Sequence, residues 1–337
     1  MGVAASMVTV LFGAAWLIPA PSGTSVARAT FPVYDIVSAA PHVGVPLQRL
    51  RYTPQTAVEA DDAAYGLADM ETASGHPAGG LGGLHPLLDY DLNAVLHGAA
   101  EVPRLTLVNM PVDLSAIRET DERKAVFFKS VLPLVLQVNE QIVQDRQRLW
   151  QLHAVQASGE ALNALDRLWL AAMAERYGTQ RGDIQALLDR HDIVPPSLAL
   201  AQAASESAWG TSRFVREGNA MFGEWTFSKA HKGIVPNDRE LGKQHRVRAF
   251  DNLTDSVKSY VTNLNKHRAY KEYRAKRAEM RAQGKPVNGM ILAGALHRYS
   301  ERGAVYVAEL RAIISGNDLD LLDTAQLNAA GDVEPVI

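Results

Sequence analysis

From Asp121 to Leu152 the apolar residues Val126, Phe127, Leu132, Leu136, Ile142 and Leu149 recur at helical spacing, which predicts a long helix kinked or split at Pro133. A second helix is expected over about 160–177 (Leu162, Leu165, Leu168, Trp169, Met173), ending at Gly178, and a third over about 182–190. Pro195, Pro196 and Ser197 set up another start, with Ser197 as the cap, for a helix that runs to about Trp209 and stops at Gly210. The character then changes. An aromatic stretch from Phe222 to Phe227 and a partly alternating one from Gln244 to Phe250 flank Gly233, Pro236, Asn237, Asp238 and Gly242, the pattern of a β-hairpin with a long irregular tip. Helices resume after Asp251, a candidate cap, with Leu253, Val257, Tyr260, Val261 and Leu264 on one face. Further helices are expected over about 269–282, 289–298 and 303–315, with Gly316 as a stop. No repeat of fixed period is present. The ordered part reads as one mainly α (α+β) domain interrupted by a small hairpin.

The two ends have a different texture. Val3 through Ile18 is almost wholly apolar and is followed by Pro19, Pro21 and Ala27-Arg28-Ala29. This is the pattern of a secretory signal cleaved after Ala29, although no Lys or Arg precedes the run. The run is short against the ~20 apolar residues of a membrane span. The expectation is an exported, periplasmic protein with no stable membrane span once the signal is removed, tethered only if it is retained. Residues 52–103 hold eight acids and no Lys or Arg, with Gly79, Gly80, Gly82 and Gly83 among them, and read as a solvated linker. The expected organisation is a signal (1–29), an acidic linker (30–103), a folded domain (104–317) and a loose tail (318–337).

Composition adds exclusions. The chain has 337 residues, 47% hydrophobic and 21% charged, with a net charge of -3; this suits a globular protein with a sizeable core. The absence of cysteine excludes disulfides, thiolate metal sites and cysteine nucleophiles. There is no phosphate-binding Gly-x-x-x-x-Gly-Lys loop, no His-Glu-x-x-His helix and no Gly-x-Ser-x-Gly elbow. The ten histidines are scattered, so no metal or other cofactor is expected.

The strongest local feature is Ser205-Glu206-Ser207-Ala208-Trp209-Gly210, at the end of a helix rich in small residues. A carboxyl there faces the negative end of the helix dipole and, with apolar neighbours such as Trp209, is expected to hold its proton near neutral pH, as a general acid must. An ordinary exposed Glu at a helix end is the competing reading. Phe222, Trp225, Phe227, Tyr270, Tyr273, Tyr299 and Tyr306 could line a sugar groove or simply fill a core. Residues 228–285 carry fifteen Lys/Arg against six acids; this suits an anionic polymer, or a solvated helix face over Lys271–Arg281.

Leu198 through Ser212, with Gln202-Ala-x-x-Glu206-Ser-x-x-Gly210, followed by Gly218-Asn219-x-x-Phe222-Gly223, resembles the signature of the bacterial glucosaminidases of glycoside hydrolase family 73. Within that family the chain is most similar to the Bax-like proteins, through Phe127-Phe128, Pro133, Asn139, Gly233 to Pro236, His245, Ala269-Tyr270 and Tyr299-Ser-Glu-Arg-Gly-x-x-Tyr306. The resemblance covers about 104–317. It implies a lysozyme-like fold, a helical lobe and a small β-lobe with a glycan groove between them, and endo-β-N-acetylglucosaminidase activity on peptidoglycan glycan strands. It implies Glu206 as general acid, Tyr306 as a tyrosine that positions the reacting sugar, and Asn219, Phe222, Trp225 and Tyr270 along the groove. For a second carboxylate the hairpin offers Glu240, chosen here, with Asp238 and Glu224 as alternatives; the substrate's own acetamido group could replace it.

Other readings stay open at this point. One is a muramidase or lytic transglycosylase on the same fold, and another is a non-catalytic cell-wall glycan-binding protein. Nucleic acid is not expected as a partner, and the sequence does not speak to the oligomeric state.

Overall fold

The computed structural model describes residues 88–237, 239 and 244–329. The expected signal, the acidic segment as far as residue 87, Asp238, Glu240 and residues 330–337 lie outside the described residues. The described part begins with α1 (Leu92–Leu96) and a 3-10 turn (Leu114–Ala116), followed by α2 (Thr120–Ala157), α3 (Ala164–Tyr177), α4 (Ile184–Arg190), α5 (Pro196–Ser207) and α6 (Arg213–Gly218). Three short strands follow, β1 (Trp225–Thr226), β2 (Gly233–Ile234) and β3 (Arg246–Arg248). The chain closes with α7 (Leu253–Lys266), α8 (Lys271–Ala282), α9 (Gly289–Ala293) and α10 (Ala304–Ser315), then a 3-10 turn (Leu319–Thr324). This is the mainly α architecture with a small β-lobe that the sequence predicts.

The long helix α2 is the spine, and it runs unbroken through Pro133. Proline cannot donate to the carbonyl one turn earlier, which here belongs to Lys129. The Tyr90 hydroxyl donates to that carbonyl at 3.1 Å and so supplies the missing partner. Proline therefore costs the helix a bond but leaves no orphan acceptor. Although α2 is long and apolar enough to cross a membrane, most of its apolar stretch is buried inside the protein, as a core helix. Its first half packs into the main core with α5, α7 and α10, and its far end forms a second small core with α3 and α4 around Leu149, Met173, Tyr177 and Leu187. Asn139 ties α2 to the start of α5: its amide donates to the Val194 carbonyl at 2.8 Å and its carbonyl accepts the Val194 N–H at 3.2 Å.

Several boundaries differ from expectation. The core begins before Arg104, because Leu88, Leu92, Val95, Leu96 and Val102 are buried in it. The stretch 318–329 is not a loose tail. Leu319 and Leu322 are buried, and Val102 bridges to Leu327. Ser197 does not cap α5: Asp323 does so from the C-terminal turn, accepting the Ser197 N–H at 2.9 Å and the Gly289 N–H at 2.9 Å. Asn252, one residue after Asp251, caps α7. The hairpin is a three-stranded antiparallel sheet of order β1-β3-β2, with Trp225 opposite Val247 and Gly233 opposite Arg248. Lys271–Arg281 is a solvated face only in part. Arg277 is 1% exposed and donates to the carbonyls of Arg190, Asp192 and Ile193, while Arg274 donates to those of Leu264 and His267. These two arginines of the apparent basic patch are thus spent on helix C-termini, whose carbonyls attract cations.

Replacing Asp323 by Ala leaves the first amides of α5 and α9 without an acceptor; thermal unfolding should show a loss of about 1–3 kcal/mol, with no change in the helical circular dichroism of the folded state.

Candidate active site

Helix α5 is built almost entirely from Leu, Ala and Ser, and Leu198 through Ala204 are all buried. Small side chains let it sit in the middle of the helical body, against α2, α9, α10 and the C-terminal turn. Glu206 lies in its last turn. The helix ends abruptly because Ala208, Trp209 and Gly210 all adopt left-handed backbone angles, with φ of 50°, 57° and 75°. For the two non-glycine residues this is a strained choice that packing must enforce. The Trp209 ring is held edge-on by Phe127 and Phe128 from α2, at centroid distances of 6.0 and 5.5 Å. A side chain at Gly210 would collide with Leu114. Ser207 completes the turn, accepting the Gly210 N–H at 2.8 Å.

A directed hydrogen-bond chain fixes the carboxyl. Tyr260 donates to the Gln202 carbonyl oxygen at 2.7 Å, the Gln202 amide donates to the Tyr306 oxygen at 2.9 Å, and Tyr306 donates to Glu206 Oε1 at 2.9 Å. Gln202 lies one turn before Glu206 on the same face of α5. The proton of the neutral acid is thereby left to Oε2. That oxygen faces the backbone of Gly223, where a Cβ would lie 3.6 Å from it. Burial pushes the Glu206 pKa up to about 7, against the lowering effect of the Tyr306 bond and of Arg302. The burial comes from a tyrosine cluster: Tyr260, Tyr270, Tyr299 and Tyr306 all feel the Glu206 charge. Trp209, expected to do this, is instead turned onto α2. At the edge of the site, Arg302 ion-pairs with Glu309, which also accepts the Ser205 hydroxyl at 2.6 Å.

The remaining residues singled out from the sequence separate. Tyr306 stacks on Tyr299 and touches Glu206. Tyr270, expected along the groove, is buried at 8% exposure; it is tilted against Tyr299 and within electrostatic reach of both Glu206 and Glu224. Trp225 is half-buried and stacks on His245 at 4.0 Å. Two more residues expected along the groove turn inward. Phe222 is 3% exposed and stacks on Tyr260 at 3.9 Å, and Asn219 is 5% exposed, its amide bonded to Asn109 and to the Phe250 carbonyl. Both shape the turn that carries Gly223. Glu224, the outside alternative in the sequence, is a second buried carboxyl with its pKa pushed up to about 7 by burial. Ser259 donates to its Oε2 at 2.8 Å, and Arg248 lies 3.9 Å from the same oxygen. A cavity of about 840 Å³ between α2, α7 and the β-lobe is lined by Arg248 and Ser259 but by neither Glu206 nor Glu224. It lies apart from the chemistry. Gln202 and Tyr260 were not singled out as site residues; helical spacing from Glu206 could have found Gln202, whereas Tyr260 arrives only through the packing of α7.

Comparison with known proteins places these features in a family. Residues 182–319 match the glucosaminidase family model, described as mannosyl-glycoprotein endo-beta-N-acetylglucosaminidase. Protein bax of Escherichia coli (strain K12) is 34% identical over 211 residues, which span 61% of this chain and 73% of that protein. The chain belongs to the Bax-like family of glucosaminidase-domain proteins. The exo-glucosaminidase LytG of Bacillus subtilis (strain 168) is 31% identical over 96 residues, 25% of this chain and 34% of its own length. The solved catalytic domain of the autolysin Auto from Listeria monocytogenes aligns over 61% of this chain and 91% of its own, at 14% identity and a TM-score of 0.30. Glu206, Tyr306, Trp225 and Tyr270 all fall inside the matched stretch.

Because folding raises the Glu206 pKa from 4.5 to about 7, the ionised form is the destabilised one. This residue's contribution is fully present below the lower value and is lost as pH rises through the higher. Glu206→Gln should therefore match the parent in stability near pH 4 and exceed it by about 3 kcal/mol at pH 8, read from denaturant unfolding at both pH values.

Proposed function

We propose that this chain is an exported endo-β-N-acetylglucosaminidase that hydrolyses β-1,4 bonds of peptidoglycan glycan strands, with Glu206 as general acid. The single observation that carries the reading is Glu206 itself. It is a carboxyl group whose pKa burial pushes up to about 7, held through one oxygen by Tyr306, with the other facing the turn before the β-lobe. Such a group can deliver its proton to a glycosidic oxygen laid between the helical body and the β-lobe, and retrieve one from water afterwards. Membership of a glucosaminidase-domain family supports a sugar substrate bearing N-acetyl groups. Trp225, half-buried, offers a flat face and a polar edge suited to a pyranose ring.

Bond cleavage leaves positive charge at C1 of the N-acetylglucosamine unit. In this reading the carbonyl oxygen of the sugar's own acetamido group meets that charge, a route some glycosidases use in place of an enzyme nucleophile. The route needs no metal and no second nucleophilic carboxylate. Glu240, the hairpin acid chosen from the sequence, would then orient the strand.

Purified peptidoglycan digested by the protein, then reduced and analysed by mass spectrometry, should show reduced N-acetylglucosamine ends, with Glu206→Gln at least ~10³-fold slower. Reduced muramic ends would instead identify a muramidase and anhydromuramic ends a lytic transglycosylase. Equal, negligible release by both proteins would identify a binding module. In the same assay Glu240→Gln should stay within a few-fold of the parent. Tyr306→Phe keeps the ring stack and loses the bond to Glu206. It should lower kcat by ~10–100-fold and move the alkaline limb of the pH profile upward, because the lost bond is one that lowers the Glu206 pKa.

A further inference from the structure

Glu224 stands out among the buried carboxyl groups. It follows Gly223, the residue whose backbone meets Glu206 Oε2, and so sits one position from the candidate acid's outward oxygen. Its Oε2 is committed to the Ser259 hydroxyl, which itself accepts from Arg248 at 2.7 Å. Its Oε1 has no hydrogen-bond partner in the protein, the one carboxyl oxygen among the buried unpartnered side-chain atoms of the described residues. The side chain as a whole retains 15% exposure, and the terminal torsion of a Glu is soft enough to turn that oxygen outward. An acceptor left unsatisfied on the residue next to the glycine that Glu206 faces calls for a donor from elsewhere. A purely structural carboxyl would be expected to bond through both oxygens.

We propose that Glu224 contacts the substrate, its free oxygen accepting the N–H of the acetamido group on the sugar whose bond is cleaved. This rests on the reading of the function given above and names the protein group that assists it. The acetamido carbonyl oxygen forms a bond to C1 as the C1–O bond breaks. The proton of Glu206 goes to the departing oxygen, and the acetamido N–H leans toward, or passes to, the Glu224 carboxylate. Water then adds at C1, giving its proton to Glu206, while the C1–carbonyl oxygen bond opens and the nitrogen keeps or regains its hydrogen. No further reactant is needed.

The role requires Glu224 ionised and Glu206 protonated. The groups facing Glu224 are Arg248 from β3, Ser259 from α7 and Tyr270 from the turn before α8. Arg248 and the Ser259 bond favour the carboxylate and burial opposes it, so both carboxyls titrate near neutrality. The kcat/KM profile of the parent should be a narrow bell centred near pH 7, its limbs belonging to the pair.

The test is that profile for the parent, Glu206→Gln, Glu224→Gln and Glu224→Asp on peptidoglycan glycan strands, with thermal melts of each. Glu224→Gln should melt no lower than the parent, lose ~10²-fold in kcat with KM within a few-fold, and lack the acidic limb. Glu224→Asp should keep that limb at reduced kcat. A Glu224→Gln protein with both limbs and kcat within two-fold of the parent overturns the inference. If that variant does not fold, Glu224→Asp decides: an unchanged kcat overturns it and a ~10-fold loss with the limb retained supports it. A parent that releases no N-acetylglucosamine ends, or a fully active Glu206→Gln, overturns instead the function on which the inference rests.

Discussion

The site depends on one constraint, that a carboxyl group is carried into a cluster of tyrosines and given a single donor there. Burying a carboxylate is costly, so Glu206 keeps its proton. The bond from Tyr306 does not cancel that effect; it selects which oxygen the proton occupies. Because Tyr306 is oriented by Gln202, and Gln202 by Tyr260, the direction of the whole chain is set three residues away from the carboxyl. The chain also joins α5, α7 and α10, so correct docking of three helices is a condition for a correctly aimed acid.

Strain at the end of α5 is the second element. Left-handed angles at Ala208 and Trp209 turn the chain away one residue after Ser207, which leaves Glu206 at an edge instead of inside a longer helix. The turn persists because the Trp209 ring is locked against Phe127 and Phe128. Those two residues lie in the half of α2 that holds Pro133. The bond from Tyr90 that lets α2 continue past the proline therefore supports the site from the far side of the core.

The β-lobe joins through backbone and polar contacts. Arg248 donates its N–H to the Glu224 carbonyl at 2.7 Å, and its side chain bonds Ser259 beside the Glu224 carboxyl. The same residues that dock β3 on α7 thus surround the second buried acid. Two acids of raised pKa, on separate segments that meet at Gly223, are the kind of arrangement from which acid and base roles are drawn.

Much of this was legible along the chain. Periodicity located α7, whose named apolar residues are all buried; Pro195-Pro196 and Gly210 bracketed α5, and Gly178 and Gly316 marked ends where a helix must stop. Leu165 and Leu168, read as part of the α3 face, are instead exposed. Glu206 was legible from its place at a helix end, within a pattern shared with a family. What the sequence could not determine depends on groups distant in the chain. Asp323 capping α5, Tyr90 rescuing Pro133 and Arg277 turned onto carbonyls join residues dozens of positions apart, while Arg274 turns back onto the end of the preceding helix. Composition read the last two as part of a charged face. Phe222 and Asn219 looked like groove residues because aromatic and amide side chains suit sugars, yet a turn with a left-handed Asn219 needs them inside. The residue types at the site were set by the sequence. Which oxygen of Glu206 is held was decided only by tertiary packing, because burial and hydrogen-bond direction are properties of neighbours that the linear order does not contain.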